Sequence, residues 1–162
     1  MNHPELGYQA KIDETDSKII KILSQDGRTP FAQIAQRLGV STGMIRQRYH
    51  RLLQEGVLQV VAVTNPLLLG FNTMAQIEVK VDVSRLNEIA EEIASFEEVT
   101  YLVILTGSYD LHIEAVCRDK DHLLEFLTQK LHTVEGVRDA DTSIYLRITK
   151  EVYHWAGNKV SA

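Results

Sequence analysis

"TPFAQIAQRLGVSTGMIRQRYHRLLQEG", Thr29 to Gly56, carries two helical periods separated by three residues. In the first, Phe31, Ile34, Ala35 and Leu38 stand at i, i+3, i+4 and i+7 and therefore share one stripe of a helix. Thr29 is a candidate cap, with Pro30 in the first helical position, where its missing N–H removes no intrahelical bond. Gly39 ends this helix and Ser41 caps the next, which leaves only Gly39-Val40-Ser41 for the turn. In the second helix Ile45, Tyr49, Leu52 and Leu53 form one face. Gly43, Arg46, Gln47, His50 and Gln54 form the opposite one, rich in donors and free of carboxylates. Two helices so tightly joined, the second with such an outer face, are the sequence form of a helix-turn-helix.

Outward from this stretch the period changes once. Upstream, "IDETDSKIIKILSQDG" predicts a preceding helix with Asp13 or Thr15 as cap, Ile19, Ile20, Ile22 and Leu23 as its apolar side, and a stop at Gly27. Downstream, "VLQVVAVTNP" is β-rich and is read as a strand linking two domains, ending at Asn65-Pro66. No return strand precedes that break, so no full wing is expected. "NTMAQIEVKVDV" then alternates strictly, with Ile77, Val79, Val81 and Val83 opposite Glu78, Lys80 and Asp82. "SRLNEIAEEIASF" reads as a helix capped by Ser84 with Leu86, Ile89, Ala90 and Ile93 inward. "VTYLVILTG" and "YDLHIEAVCRD" form a hairpin. "DKDHLLEFLTQKLHTV" is a helix burying Leu123, Leu124, Leu127 and Leu131, and "GVRDADTSIYLRITK" is a last strand. The fold class is α+β: a winged-helix-like helix-turn-helix domain over residues 1–60, with its linking strand to about 66, and a ferredoxin-like βαββαβ domain over 67–162.

Composition narrows the function classes. The 162 residues are 44% hydrophobic and 24% charged, as in an ordinary globular protein, and no apolar run is long enough to span a membrane. The N-terminal segment has no apolar secretory core, and Cys117 is the only cysteine, so a cytoplasmic setting is the simplest reading. The net charge of −5 conceals an asymmetry: residues 1–60 carry +2 and residues 61–162 carry −7. Between Asp26 and Glu55 there is no acid at all, while Arg28, Arg37, Arg46, Arg48 and Arg51 all fall there. One basic stretch in an acidic chain predicts a confined anion-binding surface.

If the third helix enters a DNA major groove, its first turns meet base edges. The reading set is then Thr42, Gly43, Met44, Arg46 and Gln47, since Arg pairs with guanine and Gln with adenine. Ser41 and the free N–H groups of the helix start would hold a phosphate. Arg28, Arg48 and Arg51 are placed for backbone phosphates, which position a protein without reading sequence. The alternative is a solvated face with surface ion pairs; for Arg48 in particular, a carboxylate within the domain is a second candidate partner.

Tyr101 to Leu105 is apolar on both faces of its strand, although both helices of a βαββαβ fold cover the same side of the sheet. The uncovered face therefore calls for a second copy, and a two-fold dimer would match a pseudo-palindromic DNA site. No nucleophile elbow, phosphate-binding loop or metalloprotease motif is present, so no catalytic residues are expected. His112, His122 and His132 lack the spacing of a metal site, and none is assigned.

With these elements in this order, the chain resembles the Lrp/AsnC family of regulators. The resemblance runs from Ile12 to Lys150 and is carried by "IDETDSKIIKIL", "DGRTPFAQIAQRLGVS", "RLLQEGVL", "NPLLLGF", "LTGSYDL" and "EGVRDADTSIYLRITK". It implies a transcription regulator, not an enzyme. Its C-terminal domain would dimerise, assemble further into tetramers or octamers, and sense an amino acid, with no other cofactor. The resemblance places the effector at the hairpin, and the residues there suit one. Asp110 offers a carboxylate to an ammonium, and the Gly107-Ser108 backbone offers N–H donors to a carboxylate. Thr142 and Ser143 add hydroxyls, Ile104 and Ile144 apolar contact, and Thr106 and Tyr109 complete the set. The competing reading for Asp110 is a bond to its own turn. Competing functions are an architectural DNA-binding protein without a ligand, or an amino-acid-binding metabolic module.

Overall fold

Asp13 starts the first helix. Its carboxylate accepts the Asp16 N–H at 2.9 Å, and the Asp16 carboxylate accepts the Asp13 N–H at 3.1 Å, so two orphan donors of the helix end are satisfied reciprocally. In the computed structural model, which describes residues 10–150, this helix is α1 (Glu14–Gln25). It is followed by α2 (Phe31–Leu38) and α3 (Thr42–Gln54). Ile19 and Leu23 of α1, Ile34 and Ala35 of α2, and Ile45 and Leu52 of α3 close a small core. The Phe31 and Tyr49 rings pack at its edge with centroids 4.9 Å apart. Thr29, expected as the α2 cap, is instead buried, and its hydroxyl donates to the Asp26 carbonyl at 2.8 Å. Pro30 takes the cap position, its carbonyl accepting from Gln33 and Ile34.

The expected linking strand over residues 57–66 does not form. Among the described residues its β-branched positions have no neighbouring strand to pair with, and propensity without a ladder leaves the backbone groups to water. Leu58 turns back into the three-helix core, while Val60, Val61 and Val63 stay exposed. The chain divides near this point, the second unit running Thr64–Thr149. The chain ends assigned to the two domains, residues 1–9 and 151–162 with His154 and Trp155, lie outside the described residues.

The second unit is the expected βαββαβ. Strands β1 (Thr73–Val81), β2 (Val99–Ile104), β3 (Leu111–Cys117) and β4 (Val137–Ile144) form one antiparallel sheet in the order β2-β3-β1-β4. Alternation decides its faces: Ala75, Ile77, Val79 and Val81 of β1 and Leu111, Ile113, Ala115 and Cys117 of β3 are buried on one side. That side is covered by α4 (Leu86–Ala94), through Ile89, Ala90 and Ile93, and by α5 (Lys120–Glu125) with its continuation. Val83, expected inward, is exposed, because Asp82 ends the strand and caps a short 3-10 turn. Asp82, not Ser84, therefore begins the helical segment, accepting the Ser84 N–H at 3.1 Å.

α5 departs most from its predicted period. It widens into a π turn at Phe126–Lys130 and tightens again at Leu131–Thr133. The buried residues become Leu123, Phe126, Leu131 and Val134, with a step of five from Phe126 to Leu131 where an α-helix would step three or four. Leu124, expected inside, is 60% exposed. Lys130, at the end of the wide turn, reaches the buried Glu98 carboxylate at 2.7 Å, and His122 reaches the same oxygen at 3.1 Å. Burial alone would raise the Glu98 pKa; the hydrogen bonds from Lys130 and His122 outweigh it and hold the carboxyl below its ordinary range.

Candidate functional site

Thr42, Gly43, Met44, Arg46 and Gln47 are all exposed over the first turns of α3. Ser41 caps the helix by accepting the Met44 N–H at 3.2 Å, and its own hydroxyl proton is left to donate outward. His50 and Gln54 continue this exposed face, which borders an open cleft of about 820 Å³ between α3 and the start of α1. Arg28 is exposed in the turn between α1 and α2. Among the described residues, neither Arg28, Arg37 nor Arg46 enters an ion pair.

Arg48 and Arg51 behave differently. Arg48 Nη1 lies 2.6 Å from Asp13 Oδ2 and 2.8 Å from Asp16 Oδ1. Arg51 Nη2 pairs with Asp16 Oδ2. Asp16 is fully buried, which by itself raises its pKa, but the two guanidiniums and the Asp13 N–H bring it down to about 2. Arg48 and Arg51, expected on DNA phosphates, thus pair with carboxylates inside the domain, and for Arg48 this is the alternative partner already named. The signal in the sequence is the spacing Asp13-x-x-Asp16 and Arg48-x-x-Arg51, but of the acidic pair only Asp13 has an expected role, as a helix cap.

At the other candidate site the loop 105–110 joins β2 to β3. Leu105 N–H donates to the Asp110 carbonyl at 2.8 Å, and Asp110 N–H donates to the Val79 carbonyl at 3.0 Å. The Asp110 carboxylate is half-buried and accepts the Val81 N–H at 2.9 Å through Oδ2. It therefore fastens the hairpin to the end of β1, a partner neither expected reading named. Thr106, Gly107 and Ser108 are exposed at the tip, and Tyr109 lies under Lys80 Nζ at 5.2 Å from the ring centroid. Gly107 has φ +134°, a backbone angle that L side chains rarely adopt, so conformation rather than close approach requires glycine here.

Thr142, Ser143 and Ile144 do not join this loop within one chain. They face Ile77, Gln76 and Ala75 across β4–β1, with β1 between them and β3, a separation of about 10 Å from the sheet spacing alone. They also split between faces: Thr142 is opposite the buried Ile77, and Ser143 is opposite Gln76 on the helix-free side. That helix-free side carries a polar network. Gln76 Nε2 donates to Glu78 Oε1 at 2.9 Å, His112 Nδ1 lies 2.8 Å from the same oxygen, and the Tyr145 hydroxyl donates to Glu114 at 3.1 Å. Cys117 is buried, and burial pushes its thiol up to about 11, which leaves it unreactive. No group of three or more metal-ligating side chains occurs among the described residues.

The two units match two halves of one known architecture. Residues 12–53 match the AsnC-type helix-turn-helix domain, and residues 74–154 match the Lrp/AsnC ligand binding domain. A helix-turn-helix transcriptional regulator of Pyrococcus horikoshii is 32% identical over 146 residues, 90% of this chain and 92% of that protein. The chain belongs to the Lrp/AsnC family. Its fold agrees with the solved structure of Escherichia coli AsnC, with TM-score 0.82 and 26% identity over 90% of this chain and 99% of that one. It also agrees with a Neisseria meningitidis transcriptional regulator solved in complex with L-methionine, with TM-score 0.79 and 26% identity over 88% and 94% of the two chains. As an Lrp/AsnC protein the chain is a DNA-binding transcriptional regulator rather than an enzyme, built from a helix-turn-helix and a ferredoxin-like domain. No helix among the described residues is long and apolar enough to cross a membrane.

Proposed function

We propose that this Lrp/AsnC regulator reads a pseudo-palindromic operator as a dimer or higher oligomer, and that a small molecule, an amino acid, modulates the binding. Thr42, Gly43, Met44, Arg46 and Gln47 read base edges; Ser41 and Arg28 hold phosphates. The observation that carries the reading is the exposed face of α3, where Arg46 and Gln47 have no side-chain partner among the described residues while Arg48 and Arg51 do. Arg46→Ala lowers affinity for the selected operator by about ten-fold or more, the worth of one bidentate base contact, and relaxes selectivity at one base position. Selection from a random duplex pool followed by titration measures both; an unchanged affinity removes Arg46 from the reading set.

The effector reading is supported by the match of residues 74–154 to a ligand binding domain and by the relative that binds L-methionine. Ile104 and the loop from Thr106 to Asp110 form one part of the site. Thr142, Ser143 and Ile144 take part through another copy, since within one chain they stand two strands away. Calorimetric titration of the protein with each of the twenty amino acids, repeated on Asp110→Ala, tests this. Heat from one amino acid that disappears in the variant supports it; no heat from any of them favours a regulator that binds DNA without a ligand.

A further inference from the structure

Asp16 is a buried carboxylate beside the DNA-reading helix, and all of its bonds lead to two places. Oδ1 takes Arg48 at 2.8 Å, while Oδ2 takes Arg51 and the Asp13 N–H. Asp13, on the exposed side, takes Arg48 a second time at 2.6 Å. The start of α1 thus grips α3 at two points nearly one helical turn apart. One anchor would leave α3 free to roll about the contact, whereas two fix both its rotation and its position along the axis. Arg48 and Arg51 each directly follow an outward residue, Gln47 and His50, so the grip sets the direction in which those side chains leave the domain. Base-edge hydrogen bonds are orientation-sensitive, and an error of about 10–20° is enough to lose them.

The same contacts remove charge from the surface. Two guanidiniums against two carboxylates leave this flank of α3 neutral, so attraction to any DNA backbone falls to Arg28, Arg37, Arg46 and other exposed cations. Non-specific binding counts phosphate contacts, whereas specific binding adds the base contacts. A device that orders the second and restrains the first raises discrimination. Core stability does not require charge here, because well-packed apolar residues commonly replace a buried ion pair without loss.

We infer that Asp16 is a positioning residue for DNA recognition: by clamping Arg48 and Arg51 it sets the orientation of α3 and withholds two cations from the DNA backbone. This rests on α3 being the reading helix. The test compares the unaltered full-length protein, D16N, the triple variant D16N/R48Q/R51Q, and R51Q alone. Each is titrated over a salt series against a random-sequence duplex and against a duplex selected from a random pool by the unaltered protein, with circular dichroism confirming the fold.

On the random duplex, D16N gives a slope of log affinity against log salt steeper by about 0.9 for each arginine released. Its preference for the selected duplex falls by about ten-fold. In the triple variant the slope returns to its original value while the preference stays low. A folded D16N with either slope or preference unchanged overturns the inference, as does a triple variant whose slope stays steep. Loss of folded protein alone lowers the active fraction without steepening a slope. Should D16N not fold, R51Q decides: an unchanged slope supports the clamp, and a slope shallower by about 0.9 overturns it, since Arg51 was then on a phosphate. If the unaltered protein selects no sequence, the reading by α3 fails first, and the slopes on random DNA still report where the two arginine charges lie.

Discussion

Asp16 also sets the acid limit of the N-terminal unit. Against burial, the Arg48 and Arg51 guanidiniums hold its carboxyl down to about 2 in the folded chain, below the usual carboxylate range, so the fold prefers the ionised form. The corresponding stability is fully present well above the unfolded value and is lost as the pH falls from there through about 2. A shift of this size corresponds to about 2 kcal/mol. The helical circular dichroism of the native protein therefore declines over that interval, and D16N flattens that part of the acid profile. Gly136 is a residue of the opposite kind, constrained by space as well as by conformation. Its φ is +98°, and a Cβ there would sit 2.6 Å from Ile89 Cδ1, inside the core under α4. Gly136→Ala destabilises the C-terminal unit by about 2 kcal/mol or more, read as a lower thermal midpoint.

Among the elements, α5 makes the sharpest statement. An unbroken 3.6 period places Leu124 on the core side, but the π turn at Phe126–Lys130 rotates the face so that Phe126 is buried to 1% exposure and Leu124 is turned out. Phe126→Ala then costs about 3–5 kcal/mol, and Leu124→Ala stays within about 0.5 kcal/mol. Equal effects of the two substitutions in chemical denaturation would sink this assignment. The wide turn coincides with a requirement the periodicity does not contain, since Lys130 must reach Glu98, which is buried at the start of β2. The segment after α3 shows the same limit from the other direction. Its run of valines has every local mark of a strand, yet a strand is a pairing, and the described chain offers no partner.

At the scale of the whole molecule, the helix-free face of the sheet is half apolar and half polar. Tyr101 is 52% exposed there, and Val103, opposite His112, shares its side of the strand. The polar groups in the middle of the face bond to one another, Gln76 and His112 to Glu78 and Tyr145 to Glu114. A face whose polar atoms already have partners loses less on being covered, which supports a second copy as its cover. With a second copy on this face, Tyr101→Glu places a charge in the contact and shifts the sedimentation mass toward the monomer at micromolar concentration. A mass unchanged from that of the unaltered protein would show that this strand lies outside such a contact.

What the residues determine alone is the order and type of the elements, apart from the segment after α3 and the wide turn that follows α5. Phe31-Ile34-Ala35-Leu38 can be nothing but one side of a helix, Ile77-Val79-Val81 one side of a strand, and the Gly39-Val40-Ser41 interval admits only a tight turn. These are local regularities, settled by backbone period and capping within a few residues. Side-chain partners were not legible in the same way. Asp16 finds Arg48 and Arg51 more than thirty positions away, and Asp110 finds Val81 across two strands of the hairpin corner, 29 positions away. Thr142 and Asp110, both polar and both assigned to one site, end on opposite sides of β1. Only the tertiary structure decided which arginines face outward and which carboxylates hold the protein together, because a charge goes to the partner that burial and distance offer, and sequence spacing carries neither.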